Sequence, residues 1–71
     1  MELKLVCKVG FTSFGFLEEL KEPMKVNAGD ECTISQHFSE NAQCDYYILT
    51  LGDKSTTLSK DELLLFFEIE L

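Results

Sequence analysis

The chain has 71 residues, with six Lys, no Arg and thirteen Asp and Glu, and a net charge of −7. That balance repels phosphate and offers no guanidinium fork for guanine edges, which excludes direct nucleic-acid binding and attraction to anionic lipid. The apolar share of 45%, with six Phe, two Tyr and no Trp, is globular, and it predicts one domain over residues 1–71 with a thin core, since a chain this short buries only about 60% of its unfolded surface.

The opening segment alternates. Leu3, Leu5, Cys7, Val9 and Phe11 fall on one face, with Glu2, Lys4, Val6, Lys8 and Gly10 opposite, and this period of two predicts a half-buried strand over residues 2–10. From Phe11 to Pro23 the pattern lapses around Gly15, so a long loop is expected, in which Leu17 and Leu20 allow one helical turn before Pro23. Met24 to Val26, the turn Asn27-Ala28-Gly29-Asp30 and Glu31 to Phe38 read as a strand pair, with Cys32, Ile34 and Phe38 on one face and Thr33, Ser35 and His37 on the other. Ser39 to Gln43 is polar loop.

Asp45 to Leu51 is the clearest strand. Tyr47, Leu49 and Leu51 share one face, and Tyr46, Ile48 and Thr50 the other. Gly52-Asp53-Lys54-Ser55 supplies a tight connection, and Thr56 to Leu58 returns as the partner. Ser59-Lys60-Asp61-Glu62 has the spacing of a capping box, with two acids at the positive end of the helix dipole. A helix of about two turns should follow, before Phe67, Ile69 and Leu71 alternate with Glu68 and Glu70 as a final strand.

This order predicts a mainly β fold, a small five-stranded barrel with one short helical turn before the last strand. The long first loop, the Gly29-Asp30 turn and the late helix give the chain an order that resembles the SH3-like barrels. An extended strand with tandem aromatics, followed by the Ser59 to Phe67 ending, is similar to small SH3-like proteins of phages and mobile elements of bacteria. The resemblance spans residues 24–71 and implies a fold more than an activity. SH3 domains that grip proline-rich peptides need an aromatic groove beside an acidic loop. Tyr46, Tyr47, Glu18, Glu19 and Glu22 are suitable residue types, but the central Trp of that groove has no counterpart here.

Residues that could carry chemistry are few. Cys32-x4-His37-x6-Cys44 together with Cys7 is the ligand set of a structural zinc site, yet the odd spacing of Cys32 and His37 sends them to opposite faces of a strand. Cys7 and Cys32 read as core filler and Cys44 as a loop thiol, so neither metal nor cofactor is expected. The odd number of cysteines and the charged N-terminal segment suggest a cytoplasmic protein with reduced thiols. Ser35 and His37 share a face, but a serine nucleophile also needs an orienting acid and an oxyanion hole. Acid pairs such as Asp61 and Glu62 are explained by capping, and the four glycines are isolated. No enzyme is expected.

What stands out is an excess of apolar side chains. Leu63 to Phe67 run consecutively, and a short helix buries only one stripe, which leaves Leu64 and Leu65 for the surface. Phe14 and Phe16 flank Gly15 in the long loop, and Tyr46 lies on the less apolar face of its strand. Either a thin-cored barrel uses these residues as plugs or they form a binding surface. The expected function is therefore a non-catalytic protein-interaction module or homo-oligomer subunit that binds through Phe14, Phe16, Leu64, Leu65 and Tyr46. The alternative is an acidic, nucleic-acid-mimicking inhibitor of phage type, which occupies a basic groove of a host defence or nucleic-acid enzyme.

Overall fold

A computed structural model describes residues 2–16 and 22–67. The fold is mainly β and antiparallel. Strands β1 (Glu2–Val6), β4 (Glu31–Ser39), β5 (Cys44–Leu51) and β6 (Lys54–Leu58) form one sheet in the order β1-β4-β5-β6. Strands β2 (Phe11–Ser13) and β3 (Met24–Val26) form a second, two-stranded sheet, which packs against β6. Helix α1 (Lys60–Phe66) follows β6.

Turn chemistry sets the local corners. Gly52 takes a φ of +65° in the two-residue β5–β6 turn, a backbone state a side chain resists. Between β3 and β4, the Asp30 amide donates to the Asn27 carbonyl while the Asn27 amide donates to the Asp30 carboxylate, with Gly29 at φ +95°. The capping box at Ser59 is formed in both directions: the Glu62 amide donates to Ser59 Oγ, and the Ser59 amide to Glu62 Oε1, each at 3.2 Å.

The core lies between the two sheets and the helix. Cys7, Met24, Val26, Cys32, Ile34, Leu49, Leu58, Leu63 and Phe67 are its buried apolar members. Ile34 and Leu49 pair directly across β4 and β5, so the assigned faces of both strands hold at this level. Leu63 and Phe66 form the inward stripe of the helix, where Phe66 stacks on Phe11 at 4.1 Å, and Phe67, just past the helix, meets Phe11 edge-on at 5.9 Å.

Several expectations need correction. The strand over residues 2–10 ends at Val6, because the chain turns a corner at Cys7. The Cys7 amide donates to the Asp30 carbonyl, the Gly29 amide donates to the Cys7 carbonyl, and the Lys8 amide donates to the Phe66 carbonyl. The first two bonds carry the β1–β4 pairing one residue further, around Gly29, and the third turns Lys8 toward the end of the helix; Phe11–Ser13, expected to open the long loop, forms β2 instead. Leu3 and Val9, assigned to the buried face, are half-exposed. Met24–Val26 pairs with β2, and the Asn27–Asp30 turn carries the chain between sheets instead of closing a hairpin with β4. Six strands in two separately bonded sheets, with no closed barrel among the described residues, replace the five expected. Phe67 is extended and bridges Cys7; the rest of the expected final strand, and the turn at Leu17 to Leu20, lie outside the described residues.

Candidate functional site

The short helix presents its second face outward. With Leu63 and Phe66 turned inward, Leu64 is 44% and Leu65 63% exposed. Adjacent helix positions point about 100° apart, so a seven-residue helix against one sheet cannot bury all four of its consecutive apolar residues, Leu63 to Phe66.

Phe14 (61% exposed) and Phe16 (41%) sit on backbone that is fastened down. Ser13 is buried and shares a 2.9 Å hydrogen bond with the Thr56 hydroxyl. The Gly15 amide donates to Ser13 Oγ at 3.3 Å, and the Phe16 amide donates to Thr57 Oγ1 at 2.8 Å. Gly15, at φ +88°, supplies the bend. Two consecutive residues of β6 thus anchor the segment, and both phenyl rings stand clear of it.

Tyr46 occupies a different surface. Alternation and register put Thr33, Ser35, His37 and Ser39 of β4, Cys44, Tyr46, Ile48 and Thr50 of β5, and Ser55 and Thr57 of β6 on the sheet face away from the core. These positions include no Asp, Glu or Lys; the charges on this face, Glu2, Lys4 and Glu31, gather where β1 pairs with β4. Tyr46 stacks on His37 across the strands at 5.4 Å, and His37 Nε2 shares a 3.0 Å hydrogen bond with Ser35 Oγ. The Ser35–His37 pair is exposed on an open sheet, and among the described residues no carboxylate bonds to His37 to orient it.

The thiols behave as apolar groups. Cys7 and Cys32 are buried and Cys44 is half-buried, and none is bonded to another. Burial pushes the Cys32 thiol up to about 11, helped by neighbouring Cys7 and Asp30. The Cys7 thiol is also raised, chiefly by burial, and it donates to the Val9 carbonyl at 3.1 Å. Cys32 and His37 lie on opposite faces, and no group of three potential ligands for a metal ion occurs among the described residues.

The five predicted site residues therefore occupy three places: the pinned loop (Phe14, Phe16), the helix (Leu64, Leu65) and the outer sheet face (Tyr46). Sequence reasoning missed Phe38. It lies on the core side of β4, as its alternation requires, yet it is 57% exposed because β4 runs beyond both the core and β1. Unequal strand lengths were the signal, and these depend on pairing. A shallow recess lined by Glu22, Pro23, Met24, Lys54 and Ser55 adds no convergent chemistry. The carboxylates among the described residues are scattered over β1, the turns, the ends of β4 and β5, and the first turn of the helix. No helix among the described residues is long and apolar enough to cross a membrane. Comparison with protein-family models, curated proteins and solved structures finds no match for this chain.

Proposed function

We propose that this protein is a non-catalytic interaction module, acting in the cytoplasm through contacts with another protein or with its own copies. The observation that carries the reading is a near balance between inside and outside among the described residues: seven large apolar residues and two cysteines are buried, while Leu3, Val6, Val9, Phe14, Phe16, Phe38, Leu64 and Leu65 are exposed. Single exposed leucines are ordinary, but about as many large apolar residues outside as inside presents surface that another chain can cover. The fastening of Phe14 and Phe16 to β6 supports it, because rings on ordered backbone lose less entropy on binding.

We also propose that the architecture is an SH3-like barrel variant. The β4-β5-β6 meander, the helix after β6 and the return of Phe67 to Cys7 support this. A photo-crosslinking amino acid placed at Phe16 and, separately, at Leu65 tests the interaction reading in the native host. A discrete covalent adduct at either position supports it. A monomer by sedimentation at millimolar concentration, with no adduct from either position, would overturn it.

A further inference from the structure

The β4–β5 hairpin outruns the rest of its sheet. β1 pairs with residues 31–35 of β4 only, whereas β5 pairs with residues 33–39. From Gln36 to Ser39, β4 therefore has β5 on one side and no described strand on the other. Exposed edges carry unpaired backbone donors and acceptors, and folded proteins normally blunt them with charge, proline, a bulge or a cover.

The other edges of this sheet are blunted. β1 carries exposed Glu2 and Lys4. β6 starts at exposed Lys54 and has the Ser13–Phe16 segment bonded to Thr56 and Thr57, with β2 and β3 packed beside it. Gln36-His37-Phe38-Ser39 has no charge, proline or glycine, and its register with β5 runs unbroken from Thr33↔Thr50 to Ser39↔Cys44. At its centre Phe38 is exposed on one side, and on the other His37 is stacked against Tyr46.

The geometry points to the Gln36–Ser39 edge of β4 as a β-augmentation site for an extended, basic segment of a partner protein. Backbone pairing would supply affinity, and alternate side chains would supply selection. An apolar side chain of the incoming strand would lie beside Phe38, and Lys or Arg would meet the acids at the two ends of the edge, exposed Glu40 and exposed Glu2. A second copy fits less well. Pairing β4 with itself antiparallel would bring Glu40 of each copy toward Glu2 of the other, between bodies of net charge −7. This inference deepens the interaction reading and rests on it.

The test titrates the isotope-labelled full chain with three synthetic heptapeptides and follows amide shifts and amide exchange by NMR. One alternates Lys with Val and Phe, the second replaces each Lys by Glu, and the third is the Lys peptide N-methylated at every residue, which removes the donors of both strand edges. The expected result is slowed exchange and shifts centred on residues 36–39 with the Lys peptide alone, weakened about tenfold by F38K through like charge and loss of the apolar neighbour. H37K provides a second exposed variant on the opposite side of the strand, also expected to weaken binding. Equal binding of the N-methylated peptide would reduce the site to charge attraction and overturn the proposal. So would shifts centred on Phe14, Phe16, Leu64 or Leu65, which would leave the interaction reading standing. Protection of residues 36–39 that grows with protein concentration without peptide would overturn it in favour of a second copy. No binding at millimolar peptide sinks the edge site, while crosslinked adducts at Phe16 or Leu65 would still uphold the broader reading.

Discussion

The two halves of the β4–β5 hairpin make an instructive pair. Near the base, Ile34 and Leu49 face each other in the core, with Leu5 of β1 opposite Cys32 on one flank and Thr56 and Leu58 of β6 on the other. Near the tip, Phe38 faces Asp45 on the same side of the same ribbon and stands in solvent. Both halves have the same alternation and an unbroken register. What separates them is neighbours: β1 and β6 have five residues each, and β4 has nine. Periodicity tells which way a side chain points, and the length of the adjoining strands tells whether anything is there to meet it.

Truncation at the base should show the largest effect. Leu49→Ala removes a side chain buried on all sides and should cost about 2–5 kcal/mol, read as a lower midpoint in urea. In so small a domain that is enough to unfold much of the population at room temperature. A loss under about 1 kcal/mol would show that the base is no better packed than the tip.

The fastening of the first loop comes next. Ser13→Ala leaves the buried Thr56 hydroxyl without its partner and should cost about 1–3 kcal/mol. The paired change Ser13→Ala with Thr56→Val should recover part of that loss, because the stranded Thr56 hydroxyl is removed as well, leaving only the half-buried Gly15 amide without its acceptor. Ser59→Ala removes the helix cap and should cost about 1 kcal/mol by the same urea measurement.

The thiols sharpen the contrast between inside and outside. Cys44 should react with a thiol reagent in the native protein at pH 8, and Cys7 and Cys32 only on unfolding. The Cys32 thiol is raised from 9.0 to about 11, so the unfolded chain loses this proton first as pH rises. Its contribution is fully present below pH 9.0 and is lost between there and about 11. Cys32→Val should therefore show a shallower decline in stability over that window than the wild type.

The smallest effect belongs to the tip. Phe38→Ser should change stability by no more than about 0.5 kcal/mol, since an exposed ring has little burial to lose. A loss comparable with that of Leu49→Ala would mean that the tip is covered by another chain in solution, most simply a second copy.

Much of the local design was legible in the residues. The Asn27–Asp30 turn, a tight connection at Gly52 (read as running to Ser55, though Lys54 and Ser55 already belong to β6), the Ser59 capping box, and the inward Ile34 and Leu49 follow from turn chemistry, capping geometry and a period of two, all of which act over a few neighbouring residues. Of the candidate surface, Leu64 and Leu65 were readable because a short helix buries one stripe. The fastening of Phe14 and Phe16 was not, since it depends on Thr56 and Thr57, 41 to 43 residues away.

Sequence alone determined that the chain is mainly β, where the Gly29 and Gly52 turns fall, and which side of each central strand is apolar, because those properties are set by φ, ψ and side-chain chemistry within a turn or two. Tertiary structure decided that the first strand breaks at Cys7, that Met24–Val26 joins Phe11–Ser13, and that β4 runs past its neighbour to leave Phe38 outside. Each of these is a choice of partner made between distant segments, where several pairings satisfy the same alternation and only the packing of the whole domain selects one.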